Sequence, residues 1–306
     1  MQITIKQLRA LQTVTRTGRI ASAASVLNLT APAVTLQIKG LEQAVGMPLF
    51  DRTSEGLRLT DAGRVMLETA EQVDALVAAG SERILALKGG AGGRVQVGAV
   101  STAKYFAPQL IAAFMRERSG VEIRLQVGNR IEILDALRDF RIDLAVMGQP
   151  TGDMPAEAAV IGEHPLIIVA SPEHRLARRK SVARAELAAE TFLMREQGSG
   201  TRAAMETFLA DLTPGRGYAR IEMGSNETIK QAVIAGLGIA FISAHTVAAE
   251  IESGRLVELA VEGMPIRRRW FVVRRAERTL SPAAAAFEAF LSSEGARYLP
   301  QVTPAP

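Results

Sequence analysis

Residues 20–42 read IASAASVLNLTAPAVTLQIKGLE, and this stretch predicts two short helices joined by a tight turn. The turn is expected at residues 28–30, because Thr30 is a typical N-cap and Pro32 suits the first turn of the helix that follows. Apolar residues recur at helical spacing on one side of each helix and are expected to be buried. They are Ala21, Ala24, Val26 and Leu27 in the first helix, and Val34, Ile38 and Leu41 in the second.

The opposite side of the second helix carries short, hydrogen-bonding or cationic groups, which suit base edges and phosphates in a DNA major groove. A helix that serves only for packing would more often show Glu/Lys pairs on its outer face. The sequence therefore predicts a helix-turn-helix that reads double-stranded DNA, with a surface helical hairpin as the alternative. The candidate DNA-contacting residues of this helix are Ala31, Pro32, Ala33, Thr35, Gln37 and Lys39.

A short hairpin, or wing, is predicted after these helices, with a turn at residues 51–56 and an extended piece at residues 57–59. Arg52 and Arg58 of this wing could reach phosphates beside the major-groove helix, or could simply be solvated. The region before Thr60 is also basic, which suits polyanion binding. Its basic residues are Lys6, Arg9, Arg16, Arg19, Lys39, Arg52 and Arg58, and its acidic residues are Glu42, Asp51 and Glu55.

The composition is that of an ordinary water-soluble protein: the chain has 306 residues, of which 48% are hydrophobic, so two or three domains are expected. No run approaches the ~18 consecutive apolar residues of a membrane span. The N-terminus lacks the ordered parts of a signal peptide. The chain has no cysteine, which excludes disulfides and Cys-ligated zinc and fits a reducing compartment. We therefore expect a cytoplasmic protein without membrane contacts.

A long helix is predicted from Thr60-Asp61 to about residue 88. Its small and apolar residues alternate by four and three positions, a spacing typical of helices that pack on one another. We expect this helix to pair with its copy in a second subunit, because DNA readers of this type gain from binding two half-sites together. Residues 89–93 are glycine-rich and are interpreted as a hinge, because they follow a helix and precede a strand, the reverse of a phosphate-binding loop. The expected helix seam is Met66, Ala70, Val73, Val77, Gly80, Ile84 and Leu87.

From Arg94 onward, strands alternate with helices, which predicts parallel β-α-β units. The first unit has expected strands at 95–100, 121–127 and 142–147 and helices at 106–118 and 131–140. The second has expected strands at 166–170, 192–194, 218–223, 239–242 and 256–261 and helices at 201–212, 227–235 and 244–253. A late strand at 269–273 is expected to cross back to the first unit, and a helix at 282–299 closes the chain. Two similar lobes joined by two crossings predict a ligand-binding cleft.

The segment ASAASVLNLTAPAVTLQIKGLEQAVGMPLFDRTSEGLRLTDAG resembles the DNA-binding head of the LysR-type transcriptional regulators, and the similarity extends over essentially the whole chain. The resemblance implies a winged helix-turn-helix over residues 1–60 and a dimerising linker helix over 61–89. It also implies a two-lobed effector domain over 90–306, like the periplasmic binding proteins. Lobe one would comprise about 94–162 plus 268–306, and lobe two about 163–267. A homodimer or homotetramer, a small inducer and contact with RNA polymerase are further implications.

Within that family, VSTAKYFAPQLIAAF, VGNRIEILDALRDFRIDLAVMGQP and MREQGSGTR are similar to the CbbR group, which controls Calvin-cycle operons for CO2 fixation. This similarity implies an activator of RuBisCO genes that responds to a phosphorylated or nucleotide metabolite. Ribulose bisphosphate, phosphoenolpyruvate and NADPH are the suspected effectors. Ala31 departs from the many relatives that carry a glutamine there, which leaves the operator sequence open.

Groups suited to an anion follow the predicted strands of both lobes. Four of them are cations, Lys104, Arg130, Arg195 and Arg202, whose convergence on one cleft would favour a phosphorylated ligand over a plain aromatic acid. These residues also have purely structural interpretations: residues 198–200 could be only a turn, residues 225–226 only a helix N-cap, and Arg130 only a surface charge. The candidate effector-binding residues are Ser101, Thr102, Lys104, Asn129, Arg130, Gln149, Arg195, Ser199, Thr201, Arg202 and Asn226.

The sequence disfavours an enzyme. Ser199 lies in G-S-G rather than in a G-x-S-x-G elbow, and His164, His174 and His245 show no metal-ligand spacing. His164 and His174 look like loop residues, and Asp143 looks like a partner in a structural ion pair. We expect neither cofactor nor metal. A free-standing solute-binding protein is a second rival, which the DNA-binding head disfavours. The main alternative is a LysR-type regulator of another operon that responds to a non-phosphorylated carboxylate.

Overall fold

The computed structural model describes residues 2–53, 56–87, 92–150, 154–210 and 219–301. The chain divides into two compact units. The N-terminal unit comprises Met1–Ser81 with Asp139–Arg141, and the C-terminal unit comprises Glu82–Arg138 with Ile142–Pro306. Among the described residues, no single helix is long and apolar enough to cross a membrane, and only a sharply bent pair, Ile20–Leu27 with Ala31–Val45, has the length and composition.

The N-terminal unit contains a three-helix head with a two-stranded wing, and its second helix, third helix and wing are those that the sequence predicts. Thr30 caps the third helix by accepting a hydrogen bond from the Ala33 N–H (3.4 Å), and the second and third helices cross at 103°. That angle lies in the range of a helix-turn-helix. The elements are α1 (Ile5–Thr17), α2 (Ile20–Leu27), α3 (Ala31–Val45), β1 (Phe50–Thr53) and β2 (Gly56–Leu59), the last two pairing antiparallel.

The head core confirms one predicted helix face and corrects the other. Val34, Ile38 and Leu41 of α3 are buried. In α2, Ala21 and Val26 are exposed, so their predicted burial is wrong. The inward face of that helix follows the spacing of 3.6 residues per turn from Ile20 through Ala23 and Ala24 to Leu27, which places Ala21 and Val26 on the other side.

The next helix, α4 (Asp61–Leu87), begins against the wing. The Thr60 hydroxyl accepts a hydrogen bond from the Gly63 N–H (2.9 Å) and donates one to the Pro48 carbonyl (2.8 Å). A side chain at Gly63 would collide with the Leu49 carbonyl, so this close approach requires glycine.

The two halves of the seam predicted along α4 differ in their packing. Met66, Ala70 and Val73 pack on the head core, so this half is satisfied within one chain. Val77 and Ile84 are exposed, at 44% and 56%. Exposed apolar side chains of this kind are typical of surfaces that bind another protein. The side chain of Leu87 and the greater part of the glycine-rich hinge lie outside the described residues.

Lobe one of the C-terminal unit is the predicted β-α-β-α-β unit. Its parallel strands β3 and β4 pair along their whole length, and β3 also pairs with β5. A core of aliphatic and aromatic side chains fills the space between these strands and the helices, with Phe106, Phe114 and Phe287 among its fully buried members. The elements are β3 (Gly93–Val100), α5 (Ala107–Glu117), β4 (Val121–Gly128), α6 (Arg130–Arg138) and β5 (Leu144–Gly148).

Lobe two continues the same sheet. Within the described residues, the C-terminal unit forms one nine-stranded sheet in the order β4-β3-β5-β11-β6-β9-β7-β8, with β10 beside β6. Long antiparallel strands β6 and β11 run through both lobes and are the two crossings that the sequence predicts. The elements are β6 (Ala156–Ala170), β7 (Phe192–Arg195), α7 (Gly200–Leu209), β8 (Arg220–Met223), α8 (Asn226–Ile234), β9 (Ile239–Ser243), α9 (Ala244–Glu252), β10 (Val257–Glu258), β11 (Ile266–Arg275) and α10 (Pro282–Glu294).

The boundaries of several elements differ from the prediction, and larger differences are found in β6, β10 and α10. Strand β6 begins ten residues earlier than expected and includes Pro165, which is tolerated because pairing with β9 starts only at Leu166. Strand β10 has two residues instead of six. Helix α10 stops at Glu294, and Gly295–Tyr298 form a 3₁₀ turn. The predicted end of a helix at residue 212 and the predicted start of a strand at residue 218 lie outside the described residues.

Candidate DNA-binding surface and candidate effector site

The outer face of α3 presents the side chains that the sequence assigns to DNA. Pro32 and Lys39 are exposed, whereas Ala31, Ala33, Thr35 and Gln37 are partly exposed. The Thr35 hydroxyl is already engaged, because it donates to the Ala31 carbonyl (2.9 Å).

Leu36, which the sequence reasoning omitted, stands between these residues and is 70% exposed. A bare aliphatic group on a DNA-reading helix can contact a thymine methyl.

The head also exposes its excess of positive charge. All six basic residues before Thr60 that have described side chains are exposed: Lys6, Arg9, Arg16, Arg19, Lys39 and Arg58. Arg58 alternates with the inward Leu57 and Leu59 on β2, as predicted. The side chain of Arg52 lies outside the described residues. The exposed cations give this unit the electrostatic character that phosphate contacts require.

A pocket of about 430 Å³, including its open mouth, lies between the two lobes of the C-terminal unit. Both lobes contribute to its wall, and among the described residues the lining contains no carboxylate. The lining residues are Val100, Ser101, Thr102, Asn129, Arg130, Gly148, His164, Leu166, Ser199, Gly200, Thr201, Arg268 and Trp270.

Six of the eleven predicted effector-binding residues line this pocket. On lobe one they include Ser101 and Thr102, which follow β3, and Asn129, which also caps α6 by accepting a hydrogen bond from the Glu132 N–H (3.0 Å). The Ser101 N–H is already used, because it donates to the Gly128 carbonyl (2.8 Å). The Ser101 hydroxyl, rather than its N–H, is therefore the polar group that Ser101 brings to the pocket wall.

Lobe two presents the beginning of α7 to the pocket. Ser199 occupies the N-cap position, where its side chain makes no capping hydrogen bond, and Thr201 follows in the first turn. Both residues are buried and line the pocket. Gly198 adopts a φ of +88°, the left-handed conformation that favours glycine and turns the chain into the helix. The N-terminus of a helix attracts negative charge, which suits an anionic ligand.

Arg130 and Arg268 supply positive charge to the same pocket. Burial lowers the pKa of both guanidinium groups, and the charge of Arg268 lowers the pKa of Arg130 further. Both groups remain charged, since arginine keeps its proton in proteins. Arg130 is held in place by donating to the Gln149 carbonyl (2.9 Å). Two like charges in one pocket wall favour an anion as the ligand.

Three of the four predicted cations do not line this pocket, and carboxylates hold their side chains. Arg202 bonds Glu206 (2.9 Å) and Glu222 (2.6 Å). Lys104 pairs with Glu227 (2.7 Å).

The buried Arg195, 4% exposed, contacts both lobes instead of lining the pocket. It donates to Ser101 Oγ (2.9 Å), Asn226 Oδ1 (2.8 Å) and the Glu196 carboxylate. Neither Arg195 nor Asn226 lines the pocket. Gln149 is exposed and contributes its carbonyl to Arg130 rather than its side chain to the wall.

The contacts of Lys104 and Arg195 join the two lobes beside the pocket. Glu227 of α8 accepts hydrogen bonds from Lys104 and from the Tyr105 hydroxyl (2.6 Å), both of lobe one. Burial raises the pKa of Glu227, but these hydrogen bonds outweigh it and lower the pKa to about 2. Lys104 and Asn226 therefore act in holding the lobes together.

The sequence reasoning missed four residues of the pocket wall: His164, Leu166, Arg268 and Trp270. His164 is not a loop residue as predicted, but a buried residue of β6 whose cross-strand partner on β11 is Arg268. The alternation of IRRRW in residues 266–270 was an available signal, since it places Arg268 and Trp270 on one face of a strand. Their proximity to His164 depends on pairing between distant strands.

Comparison with known protein families gives two matches. A family described as "Bacterial regulatory helix-turn-helix protein, lysR family" matches residues 5–64, and the "LysR substrate binding domain" matches residues 88–296. The first match covers the head and wing, and the second covers the two-lobed sheet.

Individual relatives match along almost the whole chain. The HTH-type transcriptional regulator CbbR of Sinorhizobium medicae is 51% identical over 301 residues, covering 98% of this chain and 96% of that protein. The RuBisCO operon transcriptional regulator of Allochromatium vinosum is 40% identical, covering 97% and 98%. Among solved structures, the Synechocystis PCC6803 CcmR regulatory domain in complex with 2-PG is 32% identical with a TM-score of 0.62, covering 66% of this chain and 96% of that chain.

Proposed function

Because the chain belongs to the LysR family of DNA-binding transcriptional regulators, we propose that it controls carbon-fixation genes in response to a small phosphorylated metabolite. Its relatives are regulators, not enzymes. The names of two relatives, CbbR and the RuBisCO operon regulator, support carbon fixation as the regulated process. Such a protein acts in the cytoplasm on double-stranded promoter DNA.

DNA recognition is assigned to α3 and the wing. Gln37 and Lys39 would contact base edges and phosphates in the major groove, and Arg58 would contact the flanking backbone. Ala31, Pro32, Ala33 and Thr35 would allow the helix to approach the bases closely. Two heads would then bind the two halves of an inverted repeat.

The exposed apolar half of α4 supports pairing of two subunits. Leu76, Val77 and Ile84 are each more than 40% exposed in the single chain, and burying them against a second copy would remove them from water. A dimer built in this way could assemble further into a homotetramer and place its heads for contact with RNA polymerase.

The observation that supports an anionic effector is that Arg130 and Arg268 both line a pocket that also contains hydroxyl groups and the N-terminus of α7. A phosphate group would be bound by both guanidinium groups and by the N–H groups at the start of α7. The 2-PG complex of the related CcmR domain supports a phosphorylated ligand. Ribulose bisphosphate, phosphoenolpyruvate and NADPH are the first candidates.

Regulation then follows from the cleft between the lobes. The effector would bind one arrangement of the lobes more tightly, as ligands of periplasmic binding proteins do, and would shift the population of the regulator toward it. The packing of effector domains, and with it the bending of DNA, would change. A non-phosphorylated carboxylate remains the alternative ligand, since the helix N-terminus and the two arginines also suit a carboxylate.

Footprinting tests this proposal on DNA from upstream of the carbon-fixation operon of the source genome. We expect an extended inverted-repeat footprint that changes in length or in hypersensitive positions when one of the three phosphorylated candidates is added. A scrambled DNA of the same length is the control. An unprotected promoter would contradict the regulatory target, and a footprint that responds only to non-phosphorylated acids would contradict the proposed effector.

A further inference from the structure

His164 differs from every other residue of the pocket wall. Its relative exposure is 5%, and both of its ring nitrogens are buried without a hydrogen-bond partner among the described residues. A neutral imidazole has one N–H donor and one acceptor nitrogen, and buried groups of this kind are almost always partnered. The ring lines the pocket, so a molecule bound there can supply the partner.

The orientation of the ring is fixed by aromatic stacking. His164 stacks on Trp270, with ring centroids 3.8 Å apart and planes inclined by 15°. Trp270 is held in turn, because its indole N–H donates to Nδ1 of His245 (3.0 Å). This stack fixes the orientation of the imidazole ring in the pocket wall.

The charged groups around His164 come from three other elements. Arg268 lies opposite on β11, His245 lies on α9, and Arg130 at the start of α6 lines the same pocket. Burial, followed by His245 and Arg268, holds the pKa of His164 well below its ordinary value. Burial also lowers the pKa of His245, to about 4, so that ring is neutral near neutral pH. An anion placed among these groups would reverse the effect of the two arginines on His164.

We propose that His164 binds the anionic group of the effector as an imidazolium, taking one proton from solvent when the effector binds. The proton moves from a buffer molecule to a His164 ring nitrogen, and the ring then donates a charge-assisted hydrogen bond to the effector oxygen. This inference rests on the proposed effector site. It predicts that effector affinity falls as pH rises through the pKa of His164 in the complex.

Proton uptake is measured by titrating ribulose bisphosphate, phosphoenolpyruvate and NADPH calorimetrically into the full-length protein, in two buffers of different ionisation enthalpy. At about pH 7.5 the phosphate monoesters themselves are almost fully ionised, because their second pKa is about 6. For each ligand bound, the wild-type protein should take up more protons than His164→Gln, and the difference should be at most about one. The affinity of the wild-type protein for the effector should fall more steeply with rising pH than that of the variant, by up to about tenfold per pH unit.

A second variant separates binding from folding. His164→Phe keeps a ring for stacking on Trp270 and removes the two unpartnered nitrogens, so the melting temperature of the effector-free protein should not fall. Effector affinity should nevertheless fall at least tenfold. The matched control is His174→Gln, because His174 lies outside the pocket and is paired with Glu190 (3.1 Å).

The outcomes distinguish this inference from the proposed function. The chain has three histidines, so NMR of histidine-labelled wild-type protein resolves each ring even if a variant fails to fold. Ligand binding that shifts the His164 signals to their protonated positions supports the inference. Binding without such a shift, or with equal proton uptake in wild type and His164→Gln, overturns it and leaves the effector site intact. Failure of all three compounds to bind overturns the phosphorylated effector and this inference with it.

Discussion

Replacing Arg268 by methionine tests the charge of the effector pocket. The substitution keeps most of the side-chain length and removes the guanidinium, which lines the pocket wall. A hydrogen bond to a charged group contributes about 1.5–3 kcal/mol. At about 1.4 kcal/mol per factor of ten, effector affinity should fall roughly 10- to 150-fold.

The same substitution should leave the effector-free protein at least as stable as the wild type. The charge of Arg268 lowers the pKa of Arg130, which means that the two guanidinium groups repel each other. Removing one of them relieves this repulsion, and the melting temperature should stay constant or rise slightly.

Calorimetric titration and thermal unfolding measure these two effects, with Arg267→Met as the matched control. Arg267 is the neighbouring residue on β11, but its side chain is 75% exposed and pairs with Glu163 (3.5 Å), so effector affinity should not change. Equal losses of affinity in both variants, or no loss in Arg268→Met, would refute the anion-binding role of the pocket.

Three further changes address the other parts of the molecule. Gln37→Ala should weaken binding to the operator more than binding to scrambled DNA in gel-shift titrations; equal losses on both DNAs would exclude base reading. Val77→Asp should convert dimers to monomers in analytical ultracentrifugation, since a charge would replace an apolar contact; an unchanged mass would remove this position from the subunit interface. Glu227→Gln should make the stability of the protein fall less steeply with falling pH. The pKa of Glu227 in the folded protein is about 2, below its ordinary 4.5. Its ion pair with Lys104 therefore stabilises the fold above about pH 4.5, and this contribution is lost as pH falls towards 2. Identical acid unfolding curves would contradict that contribution.

Local signals in the sequence were enough to predict the head and the arrangement of lobe one. Thr30, Pro32 and the buried positions of α3 follow from capping and helical spacing, and both are properties of neighbouring residues. The β-α-β-α-β order of residues 93–148 follows from alternating periodicity in the same way. In α2, the short length made the inward face ambiguous, which is why Val26 was misplaced.

The pocket was harder to predict because strands far apart in the sequence build it. The pairing of His164 with Arg268 joins positions more than one hundred residues apart, and Pro165 made β6 look as if it began later. Lys104, Arg195 and Arg202 bond carboxylates in the folded chain. Glu227, for example, bonds Lys104 from the other lobe, and no local pattern predicts that contact.

Thermal unfolding against a metabolite panel tests the central claim most directly, namely that a phosphorylated metabolite controls this regulator. Ribulose bisphosphate, phosphoenolpyruvate and NADPH would be compared with aromatic and aliphatic carboxylates that lack phosphate. A specific ligand at about 100 times its dissociation constant adds about 2.7 kcal/mol to the free energy of unfolding, which is readily detected. Stabilisation by phosphorylated compounds alone is the predicted result. Stabilisation by a non-phosphorylated carboxylate alone would contradict the claim and assign the protein to another branch of the family.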